Sequence, residues 1–126
     1  MYKGKKSLQK LELIGTTFDK ELLDLRLEAQ DLCRQYSITS LYDVDKKNDI
    51  LIKLFGYLPD GLTIIPSFMC DYGKNIHLGK DIFINAHCYL MDGANITIGN
   101  NVFIGPYTGF YTSTHPLDYK RRNAGL

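Results

Sequence analysis

The segment KNIHLGKDIFI at 74–84 is followed, twenty residues later, by ANITIGNNVFI at 94–104. Asn, Ile, Gly, Phe and Ile coincide in the two copies, and three further positions differ conservatively. A finer rhythm runs inside the twenty. Aliphatic, aromatic or Cys residues fall at Ile64, Cys70, Leu78, Ile84, Leu90, Ile98, Ile104 and Phe110, in steps of 6, 8, 6, 6, 8, 6 and 6. A second series, four residues further on, holds Phe68, Ile82, Cys88 and Val102 and continues to Thr108 and Thr114. An α-helix repeats every ~3.6 residues and a half-buried strand every ~2, so neither produces this spacing.

A six-residue unit suits one short strand plus a corner. Three units close a triangular coil, and the next coil stacks upon it. Such a solenoid buries its core only by laying like residues over like residues, which is what a twenty-residue repeat achieves. The spacing therefore predicts a parallel β-solenoid over residues 61–126. Gly79, Gly99 and Gly105 follow inward aliphatics, where the corner is expected to exclude a Cβ. The two eight-residue steps predict small outward bulges at one corner. A sandwich of short strands would instead alternate with period two between hairpin turns.

Residues 1–60 follow helical spacing and form a separate segment. From Asp19 to Tyr36 the apolar residues Leu22, Leu25, Ala29, Leu32, Cys33 and Tyr36 trace one helix face, with Asp19 as the expected N-cap. A second helix is expected from Ser40, where Ser40 and Asp43 have capping-box spacing. It should bury Ile50, Leu51, Leu54 and Phe55 and stop near Gly56. A shorter helix is expected over 5–13, ending at Gly15, and Pro59-Asp60-Gly61 marks the change of period.

Composition narrows the function classes. The net charge is +1, which gives no electrostatic footprint for nucleic acid. Lys3, Lys5, Lys6 and Lys10, and Lys120-Arg121-Arg122, are short runs that read as solvated surface. No apolar run approaches a membrane span and the N-terminus lacks a signal core, so a cytoplasmic protein is expected. Cys33, Cys70 and Cys88 are odd in number and have no paired spacing, which reads as buried free thiols in a reducing compartment.

Taken together, the helical start, CDYGKNIHLG, IFINAHC, NITIGNNVFIGP and TSTHPLDYKRRNAG resemble the maltose/galactoside O-acetyltransferase family of hexapeptide-repeat enzymes. The likeness is strongest from 59 to 125. The resemblance implies a left-handed parallel β-helix with an N-terminal helical cap and a homotrimer with sites between subunits. It also implies transfer of an acetyl group from acetyl-CoA to a hydroxyl of a sugar or similar small acceptor. The left hand rests on the resemblance alone, because parallel crossovers are generally right-handed.

This chemistry needs a base to deprotonate the alcohol and hydrogen-bond donors at the tetrahedral oxyanion, and it needs no metal. By motif match, His115 in STHPLD is the general base, stiffened by Pro116. Asp71 in CDYG, Asn85 in IFIN and Asp92 in LMDG match acceptor-side positions. Each is also an ordinary corner residue able to bond its own turn. His77 reads as an outward corner residue, and His87 borders either the acceptor cleft or plain surface. Phe83 stands where the galactoside branch has Tyr, so one acceptor contact differs. CoA-binding residues are not assigned.

The resemblance also implies further coils after this point, together with a Glu that orients the catalytic histidine. The sequence given ends at Leu126. On that basis the solenoid is expected to be C-terminally truncated, with Ile104 and Phe110 uncovered in the last coil. Two other readings follow. One is a non-catalytic oligomerising remnant. The other is a zinc enzyme on the same solenoid, which would need His77, His87 and His115 to converge, although they occupy different phases of the hexad.

Overall fold

The computed structural model describes residues 20–112. Two helices, α1 (Lys20–Ile38) and α2 (Val44–Phe55), precede eight short strands. These are β1 (Thr63–Ile64), β2 (Phe68–Cys70), β3 (Ile76–Leu78), β4 (Phe83–Ile84), β5 (Cys88–Met91), β6 (Ile96–Ile98), β7 (Phe103–Ile104) and β8 (Gly109–Tyr111). The start of α1, through Leu27, falls in a separate compact unit, and Glu28–Ser113 forms the other. The expected helix over 5–13, the Asp19 cap, Thr114 and His115 lie outside the described residues.

The strands form three parallel walls, ordered β1-β4-β7, β2-β5-β8 and β3-β6. Every pairing is twenty residues out of phase: Ile64 with Ile84, Ile84 with Ile104, Cys70 with Leu90, Leu90 with Phe110, and Leu78 with Ile98. The sequence repeat is thus one coil, and each inward series becomes a buried column. Ile76 and Ile96, six residues after Cys70 and Leu90, form a further buried pair that the inward series passes over when it steps eight to Leu78 and Ile98. Ile104, expected to be uncovered, is buried, while Val102 and Phe110 of its own coil pack half-buried against the core.

The corners turn through left-handed residues that also stack. Gly61, Asp81 and Asn101 have φ of 69°, 57° and 58°, and His87 and Tyr107 have 62° and 59°. Asp and Asn tolerate this region because their short side chains bond locally. A Cβ on Gly79 would collide with Gly99 and Asn100 of the next coil, as the sequence predicts. Gly99 and Gly105 have open space at the same position, so the exclusion does not extend to them. The crowding comes from the overlying coil and not from the corner itself.

The helices close the first coil. α2 starts at Val44, four residues after the expected Ser40, because the Asp43 carboxylate caps it by accepting from Lys46 N at 3.2 Å. The Ser40 hydroxyl is instead engaged by Tyr42 N at 3.2 Å. Gly56 ends the helix in the left-handed region with its N–H on Ile52 O. Ala29, Cys33 and Tyr36 of α1 and Ile50, Leu51, Leu54 and Phe55 of α2 join one core with the solenoid columns. Leu25, placed on the apolar face by spacing, is exposed.

Polar side chains of the cap cover the open edge of the first coil. The Tyr57 hydroxyl accepts from Leu78 N at 2.7 Å and donates to Leu78 O at 3.0 Å, satisfying strand groups that would otherwise invite another chain. Lys74 Nζ donates to Leu54 O at 3.0 Å and also to Lys53 O. The Tyr36 hydroxyl donates to Ile64 O at 2.8 Å, and Lys47 Nζ lies 3.8 Å over the Tyr36 ring. Burial pushes the Tyr36 phenol up to about 12. An unfolded chain ionises its tyrosines near pH ~10, so the Tyr36 contribution is complete below that pH and is lost as pH rises through about 12. Urea unfolding across this window should show stability falling with pH, and Tyr36→Phe should flatten the fall. An unchanged slope would show that the phenol titrates normally.

Candidate active site

In the second eight-residue step Gly93 and Ala94 lie exposed, as the expected outward bulge requires, and the same step folds a carboxylate inward. Asp92, at the corner after β5, is 0% exposed, and its Oδ1 accepts from Asp71 N at 2.9 Å and Tyr72 N at 2.8 Å in the coil below. Asn75 Nδ2 donates to Asp92 O at 2.8 Å. Asp92 Oδ2 has no hydrogen-bond partner among the described residues. Backbone N–H groups that would be orphaned at the wider turn are thereby paired with a side-chain oxygen. Gly73, with φ of 80°, lets this turn pass close beneath Leu54, where a Cβ would strike the Leu54 carbonyl and side chain.

Asp71 lies at the same corner, buried at its base, and Tyr89 of β5 donates its hydroxyl to Asp71 Oδ1. Spacing places Tyr89 next to the inward Leu90 and hence facing outward on β5, but no pattern links it to Asp71. The pair is visible only once the corner is folded. With Oδ1 held and the backbone N–H fixed by Asp92, the Asp71 carboxylate has a set orientation.

Asn85 belongs to another corner, directly after β4. Its Oδ1 accepts from Ala86 N at 2.8 Å, which leaves the side-chain amide to donate. β5 lies between this corner and the Asp71–Asp92 corner, and its four residues alone span ~10 Å. Within one chain the structure joins Asp71 to Asp92 and keeps Asn85 apart from both. His115 lies outside the described residues.

The other two histidines are engaged elsewhere. His77 is exposed on the outward face of β3, with Nε2 3.2 Å from Asn95 Oδ1. His87 sits at the Asn85 corner, with Nδ1 3.1 Å from Ser67 Oγ and its ring stacked on Tyr107 at 4.9 Å. Phe83 stacks on Phe103 of the next coil at 5.2 Å. Among the described residues no group of three His, Cys, Asp or Glu side chains could hold a metal ion. No described helix is long and apolar enough to cross a membrane.

Three walls repeating every twenty residues, closed by two helices, define a hexapeptide-repeat β-helix protein. Residues 16–59 match the family described as the maltose acetyltransferase hexapeptide capping motif. A Staphylococcus haemolyticus protein named as an acetyltransferase is 51% identical over 109 residues, 86% of this chain and 57% of that protein. Two solved structures superpose on it. A hexapeptide-repeat acetyltransferase of Vibrio cholerae, complexed with acetyl-CoA, is 41% identical with a TM-score of 0.77, over 85% of this chain and 57% of the other. A maltose O-acetyltransferase of Clostridium difficile is 36% identical with a TM-score of 0.80, over the same shares. Over 85–86% of its length the chain is similar to hexapeptide-repeat acetyltransferases, and its fold is the left-handed parallel β-helix of these structural neighbours. The chain spans 54–60% of the length of the relatives and solved structures it matches.

Proposed function

We propose that this chain transfers an acetyl group from acetyl-CoA to a hydroxyl of a sugar or similar small acceptor. His115 is the general base, and Asp71, Asn85 and Asp92 stand on the acceptor side. The observation that carries the reading is the match to an acetyl-CoA-bound acetyltransferase over 85% of this chain. The reaction follows from the functional groups. Neutral His115 takes the acceptor proton as the oxygen attacks the thioester carbonyl. The tetrahedral intermediate collapses with loss of the CoA thiolate, and the imidazolium returns the proton to sulfur.

The acceptor side has the polarity this requires. Asp71, oriented by Tyr89 and by the Asp92 bond to its N–H, accepts from an acceptor hydroxyl through Oδ2. Asn85 donates from its amide. Asp92 is buried behind Asp71, so its share is to hold that corner in place. The separation of Asn85 from the Asp71 corner supports a homotrimer in which corners of neighbouring subunits meet. Phe103, Tyr107 and Tyr111 offer exposed aromatic area for that contact.

The test is CoA-thiol release from acetyl-CoA with sugar hydroxyl acceptors, alongside acetyl-CoA binding measured by calorimetry. Acceptor-dependent thiol release supports the reading. Absence of binding at millimolar acetyl-CoA overturns it and supports the non-catalytic oligomerising remnant. Light scattering checks the trimer, which should have three times the chain mass.

A further inference from the structure

All three cysteines are free and buried, but their surroundings differ. Cys33 on α1 and Cys70 at the end of β2 are 37 residues apart in sequence, and their sulfurs are 3.7 Å apart. They lie on opposite sides of the junction between the helical cap and the first coil, and Cys70 directly precedes Asp71. Cys88 has no thiol partner of this kind, and its S–H donates to Gly105 O at 3.2 Å.

We propose that Cys33 and Cys70 are a dithiol modification site, converted by peroxide into a disulfide that fastens the cap helix to the first coil beside Asp71. The sulfurs are already in van der Waals contact at 3.7 Å, and a disulfide requires them to close to ~2.05 Å. The two thiols are not equivalent. The hydrogen bond between the two sulfurs holds the Cys33 thiol below its ordinary range, whereas the same bond together with burial pushes Cys70 up. Cys33 is therefore the sulfur that attacks and Cys70 the one that resolves, since the thiolate is the nucleophile.

The step balances with peroxide as the two-electron oxidant. Cys33 thiolate attacks one peroxide oxygen, the O–O bond breaks, and hydroxide leaves and takes up the Cys33 proton as water. The resulting sulfenic acid is attacked by Cys70 sulfur, the S–O bond breaks, and a second water leaves with the Cys70 proton. Two thiols and one peroxide become one disulfide and two waters. The burial of both sulfurs restricts the reaction to a small uncharged oxidant, which suits hydrogen peroxide and disfavours bulky disulfides. Occasional sensing disulfides of this kind are the form expected in a reducing compartment.

The experiment treats the folded chain with hydrogen peroxide, denatures it under alkylating conditions and maps the peptides. The expected result is a fall from three alkylated cysteines to one, Cys88, with a Cys33–Cys70 linked peptide ~2 Da lighter than the sum of its parts. Cys70→Ser removes the resolving thiol, so dimedone should then label Cys33 in the treated protein. Alkylation of Cys33 and Cys70 at the level of the untreated protein overturns the proposal. So does a linkage involving Cys88, or dimedone labelling confined to Cys88 in the Cys70→Ser variant.

Discussion

Ile84→Ala lowers the free energy of unfolding by about 3–4 kcal/mol and the melting temperature by more than ~10 °C. Ile84 is 0% exposed and lies in register between Ile64 below and Ile104 above. Truncation removes its transfer free energy and leaves a void that three parallel walls cannot collapse to fill, since each wall is pinned to its neighbours by twenty-residue pairings. The middle coil is also the one through which the first and third coils are coupled, and stacked repeats derive much of their stability from such interfaces. Against a total of ~5–15 kcal/mol for an ordinary domain, the loss is large. The control is Thr97→Ala, which faces outward on β6 and should stay within ~0.5 kcal/mol. Urea melts followed by circular dichroism read both variants. Equal effects would mean that Ile84 does not occupy a shared interior.

The columns were legible because their cause is periodic. Each coil must repeat the one before it, so Ile64, Ile84 and Ile104 carry the geometry in their spacing alone. Features that occur once leave no such trace. Tyr57 closes the edge of β3, and Tyr89 orients Asp71, yet each is a single tyrosine with no phase to mark it. The direction of the eight-residue corner depended on where one carboxylate goes. Counting residues suggested a bulge, and Gly93 and Ala94 are indeed exposed, but it did not show that Asp92 turns inward onto the N–H groups of Asp71 and Tyr72. Ser40 and Asp43 were read as the two ends of one capping box starting at Ser40, and only the backbone shows that Asp43 is itself the cap. Likewise Cys33 and Cys70 meet across two kinds of structure, a helix face and a strand end, which no single period can register.

At the candidate site, Asp71 and Asp92 proved to be one unit and Asn85 a separate one. Motif matching names positions but is silent on which of them share a corner. The spacing of 21 between Asp71 and Asp92, one more than a coil, brings the second carboxylate over the backbone of the first. The separation of Asn85 by the length of β5 is equally a matter of coil geometry.

His115→Ala is expected to reduce kcat for acetyl transfer by ~10²–10⁴-fold, the usual yield of a positioned general base. An alcohol is too weak a nucleophile to attack a thioester at useful rates while it keeps its proton, and imidazole, with a reference pKa of ~6.5, is neutral and basic at physiological pH. The KM for acetyl-CoA should change little, because the base acts on the acceptor and not on the CoA moiety. Wild-type kcat should rise with pH through the histidine range as the imidazole loses its proton, and the variant should lose that rise. His115→Gln, which retains a hydrogen-bonding side chain but has no useful basicity, should be as slow as the alanine variant. Far-ultraviolet circular dichroism and melting of both variants should match the parent, which separates lost chemistry from lost folding. A fall of less than tenfold, or a pH profile unchanged in the variant, would remove His115 from the role of base and leave proton transfer to another group. If proton removal limits the reaction, free imidazole added to His115→Ala should restore part of the rate, a rescue that no structural role for the side chain would produce.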